Sequence, residues 1–223
     1  MTPAATWPSD HDAGPEVASL ADGIHAVRVG DDLVLLDLPA DDYLCLPQCG
    51  PLEVVGRDVH GTVEQILRLA AEELVRPTRC ANDRSAPPVL PTLRLDAAPL
   101  LRPTLGDIAI FVGIWLDASR RRTTLARLQQ RYGGRVGRRD DLAAIAARVE
   151  VFRQLLPMAP RTGACLFQAE LLLRFLNAGG LDADWVFGVR TFPFLAHCWL
   201  QIDGRCVSEA PETLTVYRPI LAI

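Results

Sequence analysis

Lysine is missing from this 223-residue chain: all 23 basic residues are arginine. Together with the many alanines and leucines, that absence marks GC-rich coding and says nothing about function. An excess of positive charge is missing as well. The formal net charge is −4, which excludes a strongly basic nucleic-acid binder, so no nucleic-acid partner is expected. Long apolar runs are also absent. The longest, Ile108 to Leu116, has nine residues with Gly113 counted, against the roughly 20 that a membrane-spanning helix needs. No membrane partner is expected. Met1 to Asp12 has neither a basic start nor an apolar stretch, so no secretory signal is read and the expected compartment is the cytoplasm. There are no internal repeats and no low-complexity tract.

Clustered metal ligands are absent too. Six cysteines stand at 45, 49, 80, 165, 198 and 206. In a chain of this length without a signal they are expected to stay reduced. Cys45 and Cys49 are spaced C-x3-C, but no second pair follows closely and His60 is the nearest imidazole. No metal site is expected.

What is present is enough for a folded core. Hydrophobic residues make up 49% and charged residues 22%, the composition of one large globular domain or two small ones. Charge is uneven. Residues 1–60 carry two arginines against eleven acids, whereas residues 102–139 carry nine arginines against Asp107 and Asp117. The asymmetry suggests two domains, although two differently solvated surfaces would look the same. Prolines at 77, 87, 88, 91 and 103 separate the halves and disfavour helices and central strands. The expected organisation is residues 1–80, a Pro-rich linker at 81–105, and residues 106–223.

The pattern is α+β in both halves. Three short apolar segments, Ile24–Val29, Leu33–Leu38 and Tyr43–Leu46, read as strands, and Thr62-Val-Glu-Gln65 opens a helix. The second half predicts helices near 107–119, 123–132 and 140–156, the last capped by Asp140 and ended by Pro157. A further helix follows Thr162-Gly-Ala-Cys165 and stops at Asn177-Ala-Gly-Gly180. Strands are expected at Trp185–Val189, Ala196–Ile202 and Arg205–Glu209, with Asp203-Gly204 as a hairpin turn.

Chemistry concentrates in the second half. With Thr162 as N-cap, Cys165 is the third helical residue, where the helix dipole and unpaired amides favour a thiolate. The plain alternative is a buried structural cysteine. Among the four histidines, His197 lies mid-strand and shares a face with Trp199 and Gln201, while Cys198 takes the other face. A histidine one helix and one strand beyond a helix-start cysteine is a plausible base for nucleophilic catalysis.

The third member depends on the turn. A three-residue loop, Ile202-Asp203-Gly204, pairs Gln201 with Arg205 and sets Glu209 opposite His197. A two-residue turn puts Glu209 on the face of Cys198 instead. Glu209 is the preferred carboxylate, an exposed strand-end glutamate the alternative, and Glu212 the fallback. Asp203 lies six residues along a strand from His197, about 20 Å away. The amide of Cys165 is a candidate oxyanion donor. The arginine-rich run 120–139 is most simply a solvated helix face.

The ordered set Cys165-Leu166, Phe187-Gly-Val-Arg190, Ala196-His197-Cys198-Trp199, Asp203-Gly204 and Ser208-Glu209 resembles the transglutaminase-like cysteine peptidases of lasso-peptide biosynthesis, the B proteins. The resemblance implies a transglutaminase-like or papain-like domain, helices followed by an antiparallel sheet, with Cys165 as nucleophile, His197 as base and Glu209 as its orienter. The family commonly has Asp in the last role, so Glu209 is a departure. Cys198 stands where a small residue such as Ala is usual and is expected to be neutral. The strands Asp31–Leu38 and Asp41–Leu46 and the helix at Thr62–Ile66 make the first half similar to a small winged-helix-like precursor-recognition domain of three strands plus helices. That likeness implies that a leader peptide adds as a strand beside Tyr43, Leu44, Cys45 and Leu46.

The implied function is cleavage of a ribosomally made precursor at its leader–core junction. The implied partners are that precursor and a separate ATP-using cyclase resembling asparagine synthetase, and no metal or organic cofactor is implied. Acyl transfer to an amine, or precursor binding without catalysis, remain alternatives.

Overall fold

The computed structural model describes residues 16–76, 88–96, 98–121, 124–133, 141–160 and 164–223. Thr162, Asp140 and Cys80 therefore lie outside the described residues. The chain divides into two units, Met1–Pro87 and Pro88–Ile223.

The first unit holds β1 (Glu16–Leu20), β2 (Ile24–Val29), β3 (Asp32–Asp37), β4 (Asp42–Leu46), β5 (Glu53–Val55), β6 (Asp58–Gly61), α1 (Val63–Ala71) and β7 (Val75–Arg76). The three anticipated strands are β2, β3 and β4, an antiparallel meander in that order. Four further strands form a second sheet, ordered β5-β6-β1-β7. Instead of several helices, the described residues of this unit contain one. Thr62 and Gln65 cap α1 reciprocally, the arrangement their spacing suggests. Ile66 and Leu69 on its buried face join Ala18, Leu33, Leu35, Leu52 and Val59 in one core. Arg28 ties the loop after β4 down by donating to the carbonyls of Gly30, Gly50 and Leu52.

The second unit begins inside the proline-rich stretch, because β8 (Leu93–Arg94) is a sheet strand rather than part of a connector. Then come α2 (Leu105–Arg120), α3 (Leu125–Tyr132), α4 (Leu142–Leu155), α5 (Cys165–Ala178), β9 (Asp184–Arg190), β10 (Leu195–Ile202), β11 (Arg205–Cys206), α6 (Pro211–Leu214) and β12 (Arg218–Ala222). The N-cap of α4 is Asp141, whose carboxylate accepts from the Ala144 amide. The sheet runs β12-β9-β10-β11-β8, antiparallel except for β11 and β8.

Phe111 of α2, Phe152 of α4 and Phe175 of α5 meet with ring centroids 5.7, 6.4 and 5.9 Å apart. Aromatic edges and faces at such distances add to the gain from burial alone. Polar bolts sit at the rim. Asp107 closes the capping box of α2 with Thr104 and also receives Arg148 of α4. Asp117 of α2 receives Arg174 of α5. Helix α5 lies against β10, so the start of a helix meets the middle of a strand. No helix among the described residues is long and apolar enough to cross a membrane.

Candidate active site

The first turn of α5 sets the position of Cys165. Ala164 is extended, with φ −72° and ψ 170°, and its side chain caps nothing. The helix therefore begins one residue later, and Cys165 is the first helical residue rather than the third. The amides of Phe167 and Gln168 are spent on the Ala164 carbonyl. Those of Cys165 and Leu166 have no carbonyl within the helix to reach.

The partner strand offers an open edge. Asp203 and Gly204 have φ +46° and +70°, the paired left-handed conformation of a two-residue turn. Gln201 accordingly faces Cys206 and Ile202 faces Arg205, not the register of a three-residue loop. On strict alternation Glu209 would join Cys198 and miss His197. The ladder ends too soon for that. Val207 still donates its amide to the Leu200 carbonyl, but the Leu200 amide goes to the Ser208 hydroxyl instead of a backbone carbonyl. Beyond that point the chain leaves the sheet, and Glu209 Oε1 comes to 2.9 Å from His197 Nε2. Glu209 Oε2 accepts from the Thr213 hydroxyl in α6 at 3.2 Å.

The vacated edge takes Cys165. Amides two residues apart on a strand point the same way, so after Leu200 the next amide on this side belongs to Cys198. Cys198, through its thiol and its amide, and His197 are the polar groups that act on the Cys165 sulfur and favour its ionised form. Since Glu209 occupies Nε2, Nδ1 is the nitrogen left for Cys165. The expectation that Cys198 is a bystander is thereby corrected. Its side chain alternates away from that of His197, yet both residues line the same cleft as Cys165.

Aromatic rings hold the imidazole. The ring of Tyr217 lies 5.2 Å from that of His197 and the ring of Trp199 lies 6.3 Å from it. Trp199 is fully buried, its indole donates to Gln201, and Gln201 donates to the Val89 carbonyl. Tyr217, Thr213, Ser208 and Cys198 are the site residues that sequence reasoning misses. Cys198 and Ser208 sat within recognised motifs without a role assigned to them, whereas Thr213 arrives through the short helix α6 and Tyr217 through the turn before β12.

These contacts set the protonation states. Hydrogen bonds from Cys198 first, and from His197 next, hold the Cys165 thiol down at about 4 against the opposing effect of burial. Hydrogen bonds to Cys165 and then Glu209 push His197 up to about 9. The Cys198 thiol is pushed far up by its bond to Cys165 and by burial, so it stays protonated and acts as a donor. At neutral pH the pair is a thiolate beside an imidazolium, the reactive form of a cysteine nucleophile. It opens onto a cleft of about 310 Å³.

The other anticipated residues lie in the first unit. Tyr43, Leu44, Cys45 and Leu46 form β4, which ends the three-stranded sheet among the described residues. Burial raises the Cys45 thiol above its usual range. Among the described residues no group of three or more His, Cys, Asp or Glu side chains is placed to hold a metal ion.

The microcin J25-processing protein McjB of Escherichia coli is 43% identical over 48 residues, which is 22% of this chain and 23% of that protein. No solved structure matches. The pattern of the transglutaminase-like superfamily matches residues 108–222, more than half of the sequence and all of the site. The chain therefore belongs to the transglutaminase-like superfamily.

Proposed function

We propose that this protein is a cysteine endopeptidase that removes the leader from a ribosomally made lasso-peptide precursor. The observation that carries the reading is that Cys165, His197 and Glu209 line one cleft, with the Glu209 carboxylate 2.9 Å from His197 Nε2. The likeness to a microcin-processing protein supports the substrate class.

In the proposed cycle the Cys165 thiolate attacks the scissile carbonyl carbon. The resulting oxyanion faces the Cys165 amide, one of the two free amides at the start of α5. The His197 imidazolium gives its Nδ1 proton to the leaving amine as the C–N bond breaks, leaving the leader acyl group as a thioester. Neutral His197 then takes a proton from water, hydroxide equivalent adds to the thioester, and the C–S bond breaks to free the leader carboxylate. Glu209 holds the ring and balances its charge in both steps. The chemistry uses no metal or organic cofactor.

The first unit is proposed to bind the leader as an added strand along Tyr43, Leu44, Cys45 and Leu46. The exposed side chain of Leu44 on a terminal strand suits that mode. The freed core amine would pass to an ATP-using cyclase resembling asparagine synthetase.

Intact-mass analysis of a candidate precursor incubated with wild type and with Cys165→Ala tests the reading. Wild type is expected to give separate leader and core masses and the variant none. Binding by both proteins without cutting by either, even with the cyclase present, would replace the peptidase with a binding module. A Leu44→Asp variant is expected to weaken leader affinity about tenfold while leaving Cys165 reactive to small alkylating agents.

A further inference from the structure

Two helices line the cleft with matching stripes. From α5 come Cys165, Ala169 and Leu172, spaced four and three residues apart, from α4 come Val149 and Phe152, and Leu156 follows at the start of the 3-10 turn after α4. Residues at such spacing share one helix face, so the cleft is a groove between two faces rather than a gap under a loop. Apart from Gln168 and the exposed Arg153, what the helices contribute to it is apolar or the nucleophile itself. Leu172 lies seven residues from Cys165, about 10 Å along the helix. The groove therefore extends away from the sulfur by more than the length of one side chain. Its volume of about 310 Å³ exceeds that of a single leucine or phenylalanine side chain.

A hydrolase working through an acyl-enzyme must hold the acyl half through two steps, whereas the amine half departs after the first. An apolar groove beginning at the sulfur serves the half that stays.

We propose that the groove between α4 and α5 is the specificity pocket of the enzyme, and that it selects a leader carrying a large apolar side chain within two residues of the scissile carbonyl. This rests on the peptidase reading above and names its substrate preference. The helix walls offer a charged side chain only Gln168 and the exposed Arg153, and the charged groups on the sheet side, His197 and Glu209, are paired with each other, so burying an unpaired charge against the helices is costly. A small side chain would leave the groove wet and gain nothing.

Acetyl-dipeptide vinyl sulfones test this without the natural precursor. A panel carries Gly, Asp, Leu or Phe at either residue, and the rate of Cys165 alkylation is followed by intact mass with peptide mapping. At one of the two positions Leu or Phe is expected to react at least about tenfold faster than Gly or Asp, the scale of discrimination an apolar pocket supplies. Leu156→Ala, at a half-buried position, is expected to shift the optimum from Leu towards Phe or larger. Equal rates across the panel, or faster reaction with Asp, overturn the pocket and leave the peptidase standing. A Cys165 that none of the probes modifies overturns the peptidase reading and the pocket with it. Unchanged rate order in Leu156→Ala overturns the assignment of the groove wall.

Discussion

Glu209 reaches His197 from outside the sheet. The 2.9 Å contact between Oε1 and Nε2 forms because strand pairing stops at Val207 and Ser208 takes over the Leu200 amide. Glu209→Gln keeps an acceptor of similar shape and removes the charge. Peptidase activity (kcat/KM) is expected to fall about 10²–10⁴-fold, the range spanned by general acid–base catalysis and by loss of an orienting carboxylate. The upper limb of the pH profile should move down, because Glu209 is one of the groups holding His197 protonated. Thr213→Ala, which loosens only the second carboxylate oxygen, should cost less than about fivefold.

Reactivity should show a broad plateau. Below about 4 the Cys165 thiolate is protonated, and above about 9 His197 loses its proton. Alkylation by iodoacetamide, followed from pH 3 to 10, measures the lower limb, and peptide cleavage over the same range, which needs the His197 proton, measures the upper one. Cys198→Ala removes the first of the hydrogen bonds that hold the thiolate down, so the lower limb should rise by about one pH unit. Folding stability follows the same window. The raised His197 gives up its contribution as pH climbs through about 9, and the depressed Cys165 gives up its own as pH falls through about 4.

Gly188 lies directly across from His197 in the β9–β10 ladder. A Cβ there would come within 2.7 Å of the Trp199 ring and 3.3 Å of the Arg218 carbonyl. Gly188→Ala must therefore move a fully buried tryptophan that packs beside His197. Thermal or urea unfolding should show a loss of about 1–3 kcal/mol, accompanied by a fall in kcat rather than a rise in KM.

Arg148 joins three helices. It pairs with Asp107, donates to the Phe175 carbonyl and stacks 3.8 Å over the Phe175 ring. Arg148→Ala leaves the half-buried Asp107 with only its Thr104 partners and should cost about 1.5–3 kcal/mol in urea unfolding. Arg148→Met, which restores packing without charge, should recover only part of that loss.

Much of the second unit can be read from periodicity. The helices from α2 to α5 and the strands β9 and β10 repeat apolar residues strongly enough to declare themselves. A cysteine opening a helix and a histidine within a strand are local features. The first unit is harder, because β1, β5, β6 and β7 are short and mix acids with apolar residues, so no alternation stands out. Glu209 is the instructive residue. The sequence argument for it requires a three-residue turn, whereas the structure has the two-residue turn and arrives at His197 another way. Register fixes the faces of a strand only while the ladder lasts, and its last rung is decided by a serine hydroxyl. Cys198 was misjudged for a related reason, since alternation describes faces and says nothing of an edge.

The shortness of β11 has an evolutionary corollary. Two more rungs of pairing would stabilise the hairpin by using the Cys198 amide in the ladder, and would take from Cys165 one of the groups that favour its ionised form, the smaller beside the Cys198 thiol and His197. Foldedness and reactivity compete here for one N–H group. Selection for stability alone would lengthen the strand and weaken the thiolate, so variants recovered for thermostability should avoid residues 207–209 or lose Cys165 reactivity.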